Sequence, residues 1–552
     1  MPKVSPGTGD LKLLAAAIAL VLVPAAARAQ EPDAREAQAA FERFRVARMP
    51  WSREPGSGPC DEIVGRFCYR HEAGSDRPPL AEAPEVADAR DTLLARLDAA
   101  AGRDPADGWL AGQRVRYRIE AGRAAEAIAV AEGCRAEAWW CAALEGAARH
   151  AAGDFAGAEG AFDHALSSMP GAERERWTDL APILDAGSRR VWSGLSRSGR
   201  EAFARRLWWA ADPLWSVPGN ERRSEHLTRH AWDRMQEGAA SAYDVSWGAD
   251  LRELLVRYGW PAGWERARGD LGRLGGGSRP AVVARDPPGA RRFVPTLAAI
   301  ADPAVAGPAD WSLVDPRPRS TYAPGYAVRF LAIEPQLAAF RRGTSAILVA
   351  GWALPPDSIR HDGSVAATLF AAEGPDRAFV EARGSATEAG GSLSLVVPWP
   401  RAVVSLEARG AETAGRWRAG VELPGARPGL PALSDLLLLA SPDPLPATLE
   451  EAVSLARRST VATPGERLGV FWEAYPPEGA DEALIAVSIR GRGQDPGALR
   501  WSEMFPQGVL AVPRAVALRL PALPPGDYVL EVEVAWPNAG SSRSRRDLAI
   551  RR

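Results

Sequence analysis

Up to about residue 264 the apolar positions of this chain recur at helical spacing, three and four apart. Beyond about residue 320 they alternate with a period of two. Residues 33–48 and 86–103 read as helices on either side of a Gly- and Pro-rich loop that carries Cys60 and Cys68. From Pro105 to about Asp185 alanine-rich helices are separated by short glycine breaks. Asn220 to Glu237 reads as one helix. Leu251, Leu254, Leu255 and Tyr258 line one face of another, with Asp250 as its N-cap and Gly259 as its stop. Residues 270–320 are rich in breakers and predict an irregular connector. After it, Leu393, Leu395 and Val397 alternate with small or polar neighbours, as do Trp417, Ala419, Val421 and Leu423. Pro424 to Pro431 marks a further boundary, beyond which 468–472 and 484–489 read as strands. In the last clear strand, a turn at 524–527 leads into Tyr528, Leu530, Val532, Val534 and Trp536 on one face. Glu531 and Glu533 fall on the other, which reads as a solvent face.

These patterns predict a multidomain chain, α then β: an α-helical, repeat-like N-terminal half followed by two antiparallel β-sandwiches of immunoglobulin-like type. The expected divisions are a signal peptide over 1–29, a helical segment with the cysteine loop over 30–104 and a repeat-like helical region over 105–185. A Trp-rich helical region over 186–270, the connector over 271–320 and sandwiches over 321–424 and 432–552 complete the chain. The stretch from Ala142 to Pro170 resembles a tetratricopeptide repeat, with Gly146, Gly153, Ala158, Phe162, Ala165, Leu166 and Pro170 at the spacing of that motif. Gly122 and Ala127 echo Gly153 and Ala158 one repeat earlier. Two such units cannot stand alone as a solenoid, so they must pack on their neighbours.

Composition narrows the chemistry. The 552 residues are 46% hydrophobic and 25% charged, with 67 basic against 69 acidic side chains and a formal net charge of −2. That balance carries no electrostatic footprint for nucleic acid or an anionic membrane. Lysine occurs only at Lys3 and Lys12, which excludes P-loop phosphate binding, Schiff-base catalysis and the kinase ion pair. Both lysines lie before an eleven-residue apolar run, 13–23, and a small-x-small site at 27–29, together the pattern of a secretory signal. The run is too short to span a bilayer. The expected exported chain begins at Gln30, is periplasmic or extracellular and carries no integral membrane segment.

Export bears on the four cysteines, since disulfides persist in oxidising compartments. Four cysteines allow three pairings. Cys60 with Cys68 and Cys134 with Cys141 are the pairs closest in sequence, and short loops favour local bridges. The alternative, Cys60, Cys68 and His71 as zinc ligands, lacks a fourth ligand and a standard spacing.

Nine of the 20 tryptophans fall between Trp177 and Trp264. They fit a ligand platform or a packed aromatic core, and the core is the preferred reading. Within this stretch stand Asn220, Glu221, Arg223, Glu225 and Arg229, then 246–250 (Ser-Trp-Gly-Ala-Asp), then Arg257, Tyr258, Gly259 and Pro261. This arrangement resembles the GWxTD-motif family of bacterial secreted proteins. Trp247 and Asp250 match its signature, while Ser246 replaces the glycine and Ala249 the threonine. The resemblance implies a helical front and a β-sandwich tail, and it assigns no catalytic residues. It would make 251–258 a strand, whereas the residues themselves read as a helix, the reading adopted here.

Candidate chemistry is sparse. His226 and His230, four apart on one helix beside Glu225, form half a metal site without a third ligand. No nucleophile elbow is present: residues 194–198 lack its final glycine, and the glycine runs at 275–277 and 491–493 open no helix. The expected function is therefore an exported, non-catalytic interaction or scaffold protein of the bacterial envelope, without cofactor or metal. Its partner would be an envelope protein or polymer. The alternative is a hydrolase of envelope glycan or protein with its cleft in the Trp-rich region.

Overall fold

A computed structural model describes residues 33–551 apart from 53–60, 72–77, 268–280, 356–363, 387–389, 424–429, 441–442, 481, 492–497, 507–508, 522 and 538. The expected signal peptide, and with it the start at Gln30, lies outside the described residues, as does Cys60. Helices dominate from Ala34–Arg48 to Ala249–Tyr258, and strands dominate from Arg329–Ala332 to Gly540–Ile550. No helix among the described residues is long and apolar enough to cross a membrane.

The expected first helices appear as Ala34–Arg48 and Pro84–Arg103. Between them the cysteine segment is more ordered than a loop: Glu62–Val64 and Phe67–Tyr69 pair as a tight antiparallel hairpin. Its turn uses Gly65 at φ +52. Cys68 is disulfide-bonded; the pairing expected for it with Cys60 lies outside the described residues. Cys134 and Cys141 are bridged as expected. Downstream, Gly122 and Gly153 take positive φ in the turns between successive helices. Helices Ala138–Ala151 and Phe155–Ser168 approach closely, because a Cβ on Gly146 would stand 2.9 Å from the Phe162 ring and Ala158 and Ala165 are fully buried.

Two boundaries differ from expectation. Residues 251–258 are helical, within Ala249–Tyr258, but the cap is Gly248, and Asp250 sits in the first turn. The connector is not irregular throughout. Ala281–Arg285 is a strand that pairs with Gly263–Ala267, a partner distant enough in sequence that local propensity does not reveal it.

The β half consists of two pairs of facing sheets. In the first, Gly390–Val397, Ser345–Ala353 and Gln336–Arg342 pack over a five-stranded sheet. That sheet is ordered Arg329–Ala332, Thr413–Glu422, Arg401–Arg409, Val365–Ala372, Val380–Ala386. The two share one core, with Leu348, Trp352 and Leu395 meeting Leu369, Val404 and Leu406. In the second, Arg467–Tyr475 is flanked by Val512–Arg519 and two short strands. It faces a sheet ordered Val461–Ala462, Gly540–Ile550, Gly526–Trp536, Glu482–Gly491, Ala498–Met504. Pairing is antiparallel except at Arg329–Ala332 and Val461–Ala462, which run parallel to their neighbours. Tyr528, Leu530, Val532, Val534 and Trp536 are buried as the alternation predicts. Glu531, expected in solvent, is only 4% exposed, because Arg545 and Arg490 close over it.

The blocks are packed against one another rather than strung out. Ala338, Phe340 and Val349 of the first sheet pair meet Leu437, Leu439 and Phe471 of the second. The Gln336 amide donates to the carbonyls of Leu438 and Arg457, and its oxygen accepts from Leu438 N–H. Toward the helices, Arg418 donates to the Ala210 carbonyl, and Glu407 accepts the N–H groups of Trp215 and Ser216 at 2.9 Å each.

Candidate functional site

The helix Glu221–Gln236 runs through the middle of the N-terminal half and is buried along most of its length, polar residues included. Asn220 caps it: its Oδ1 accepts from Arg223 N–H at 2.8 Å, and its Nδ2 donates to the Trp208 carbonyl at 2.7 Å. Glu221, fully buried, accepts from the hydroxyls of Tyr326 (2.6 Å) and Tyr322 (3.2 Å). Burial pushes its carboxyl up to about 8 despite those two donors. Arg229 donates to the carbonyls of Val256, Arg257 and Thr321 and to Glu225, so its guanidinium covers the end of helix Ala249–Tyr258. Gly259, at φ +89, ends that helix, and a Cβ there would come within 3.1 Å of Arg229 Nη2.

The other motif residues grip the cysteine hairpin and the central helix. Trp247 Nε1 donates to Asp233 at 2.8 Å, and Arg252 holds the second oxygen of that buried carboxylate at 2.7 Å. Asp250 receives Arg66 from the hairpin turn. Arg257 donates to both oxygens of Glu62, at 2.7 and 2.5 Å, and Arg319 reaches the same carboxylate at 3.2 Å. The Arg257 hydrogen bond holds Glu62 below the usual carboxylate range although burial opposes it. Tyr258 stacks on Tyr69, centroids 3.9 Å apart and planes 7° from parallel. Sequence reasoning did not single out Glu62, Arg66 or Tyr69. The local signal for this hairpin is the glycine turn Val64-Gly65-Arg66 alone, since its three-residue strands are too short to show alternation.

The two histidines do not make a metal centre. Their rings lie edge to face at 4.8 Å, His226 against Trp208 and His230 stacked on Trp177. Burial lowers both, His230 to about 3. Glu225 is engaged elsewhere, by Arg229 and by His150 Nε2 at 2.8 Å. Among the described residues no three His, Cys, Asp or Glu side chains converge as a metal site. Of the nine clustered tryptophans none is exposed: Trp177, Trp192, Trp208 and Trp232 are buried and the rest half-buried. Trp260 stacks on Trp232 at 4.4 Å and meets Trp264 at 5.5 Å.

At the outer edge of this aromatic layer, where Pro261 of the motif lies, a cavity of about 260 Å³ opens. Arg45, Arg48, Arg90, Glu120, Trp260 and Trp264 contribute to its wall. Arg45 is ion-paired to Glu120, and Arg90 to Glu82. Burial acts to raise Glu120, but Arg45, Arg116 and Arg90 outweigh it and hold the carboxyl below its ordinary value.

No family model matches the chain, and no curated protein matches it. Solved structures are similar over part of it. Red sea bream transglutaminase is 10% identical, covering 40% of this chain and 31% of its own, with a TM-score of 0.14. A Bacteroides uniformis β-glucuronidase is 12% identical over 38% of this chain and 26% of its own, at a TM-score of 0.16. The FN1–FN3 domains of chicken CNTN1 are 13% identical over 42% of this chain and 71% of theirs, at 0.17. The chain thus spans about a third or less of the two enzymes.

Proposed function

We propose that this is an exported interaction or scaffold protein of the bacterial envelope, of the GWxTD-motif type. Its helical front would be tetratricopeptide-like and its two tail modules immunoglobulin-like. One observation supports the non-catalytic reading above others: the motif side chains able to do chemistry are engaged in holding parts of the chain together. Asp250 and Arg257 bind the hairpin through Arg66 and Glu62, Trp247 ties to Asp233, and Glu221 joins the segment just beyond the connector through Tyr322 and Tyr326. The hydrolase alternative needs carboxylates free to act among the tryptophans, whereas Glu120 and Glu82 at the cavity are each bound by arginine. Helical arrays and sandwich loops are common carriers of protein and polymer recognition.

Co-sedimentation of the purified chain with isolated peptidoglycan sacculi and with outer-membrane protein fractions tests this reading. Saturable retention without release of soluble glycan or peptide is the expected result. Steady release of fragments would establish the hydrolase reading in its place, and neither retention nor release would refute both.

A further inference from the structure

Four segments meet at the cavity: the end of helix Ala34–Arg48, the start of helix Pro84–Arg103, the last residue of helix Gly108–Glu120, and the stretch Trp260–Trp264. Its volume of about 260 Å³ suits a small organic molecule rather than a lone ion.

The walls are rich in donors that lack acceptors. Arg45 Nε and Nη1, Arg90 Nε, Trp260 Nε1 and Trp264 Nε1 are buried and make no hydrogen bond. The carboxylates nearest the first two, Glu82 and Glu42, stand 3.7 and 3.5 Å away. Arg45 itself is 1% exposed. Buried N–H groups are seldom left without a partner, and these five all belong to side chains that line the cavity. An acceptor entering the cavity would complete them.

Charge points the same way. Behind the wall, Arg116 is answered by Glu42 at 2.7 Å and Glu120 at 3.0 Å. Arg45, Arg90 and Arg116 are thus balanced by Glu42, Glu82 and Glu120. Arg48 remains: it is exposed at the mouth, lies over the Phe44 ring at 3.5 Å, and pairs with no carboxylate among the described residues. The cavity therefore holds one positive charge in excess. Its aromatic side is firm, because Trp260 is backed by Trp232 and has the Arg116 guanidinium 5.4 Å from its ring. Arg45 stands 5.2 Å from the Trp264 ring. Two indoles set at 70° offer an apolar corner for a flat ring.

We propose that this cavity is a binding site for a small organic monoanion, a carboxylate carried on a ring, with its oxygens toward Arg45, Arg48 and Arg90 and its ring against Trp260 and Trp264. The site goes beyond the scaffold reading and does not depend on it. Failure to retain envelope polymer leaves the titration below unchanged, and conversion of the bound molecule would overturn the non-catalytic reading alone.

Calorimetric titration of the purified chain with two ring carboxylates, indole-3-acetate and glucuronate, and with their neutral counterparts, indole and methyl glucoside, tests this. At least one acid is expected to bind one-to-one and at least about tenfold more tightly than its neutral counterpart, and which acid binds identifies an aromatic or a sugar source. Arg48→Glu is expected to weaken that acid by about tenfold or more, with affinity for the neutral ring little changed. Ala262→Trp, at an exposed position on the rim, is expected to abolish binding while the free protein keeps its melting temperature. No binding of either acid up to about 10 mM would overturn the proposal. So would equal binding of acid and neutral ring, or affinities unmoved by both substitutions.

Discussion

Asp250 and Arg66 meet as a two-pronged ion pair, Arg66 Nε 2.6 Å from Oδ2 and Nη2 2.8 Å from Oδ1. The Arg66 backbone N–H adds a third contact at 3.2 Å, and a Cβ on neighbouring Gly65 would press on the Asp250 side chain at 2.5 Å. An aspartate expected to cap its own helix instead anchors a hairpin 184 residues away in sequence. Because Arg66 is substantially exposed, the pair is worth about 1 kcal/mol. Asp250→Ala should destabilise by about 1–2 kcal/mol, and a double-mutant cycle with Arg66→Ala should return a coupling of about 1 kcal/mol that shrinks in high salt. The hydrogen bond from Arg66 holds the Asp250 carboxyl down to about 2. This contribution is therefore complete above the ordinary value of 3.8 and fades as pH falls toward about 2. Additive single substitutions in denaturant titrations would remove the pair from the account of stability.

Trp247 is half-buried and packs on the tryptophan layer while its N–H holds Asp233. Trp247→Ala should cost about 2–4 kcal/mol, and Trp247→Phe, which keeps most of the packing, about 1–2 kcal/mol for the lost donor to a buried carboxylate. Thermal melts check both. A Trp247→Ala chain that melts like the wild type would turn this corner from a structural element into a place to look for a ligand.

The central helix carries opposing pH dependences. His226 and His230 are held neutral by burial, with Arg229 adding repulsion at both. The unfolded chain protonates them near pH 6.5. Between that value and about 3, His230 binds more protons unfolded than folded, so its contribution falls as pH falls, at about 1.4 kcal/mol per pH unit. Glu221 has the other sign. Its folded value of about 8 lies above 4.5, so its contribution is complete below 4.5 and is lost as pH rises toward 8. Urea midpoints between about pH 5 and 8 should show His230→Phe losing less stability on acidification than wild type, and Glu221→Gln losing more. Parallel profiles for all three proteins would contradict the assignment.

The Cys134–Cys141 bridge closes a loop between the end of helix Ala124–Glu132 and the start of helix Ala138–Ala151. So short a loop limits the gain to about 2 kcal/mol. Substituting both cysteines by alanine should lower stability by that amount without loss of helix content by circular dichroism. Peptide mapping under non-reducing conditions should recover this pair intact.

The α-then-β order, a helix over 220–237, the stop at Gly259 and the buried face of the strand ending at Trp536 were legible in the sequence, whereas the Asn220 cap was shown by the structure. Each of the legible features rests on local periodicity or on one residue's backbone preference. The hairpin 62–69 is not legible in the same way, because its strands are three residues each, too short for alternation to register. Strand Gly540–Ile550 shows the same limit differently. Its run of serines and arginines lacks an apolar rhythm, and it is a strand because Arg545 and Arg543 fall opposite Glu531 and Glu533 in the register.

What the amino-acid order settled by itself was therefore the local conformation of long periodic segments and the chemistry missing from a chain almost without lysine. What only the tertiary structure decided was the use of its charged residues. Arg45, Arg116, Arg229, Arg257 and Arg418 read as surface residues in one dimension and are buried in three. A guanidinium can be buried only where acceptors surround it, and those come from segments far apart in sequence: Glu120 for Arg45, Thr321 for Arg229, Glu62 for Arg257, Ala210 for Arg418. The cavity beside Trp260 arises in the same way, from four segments whose donors outnumber their acceptors only once they are folded against one another.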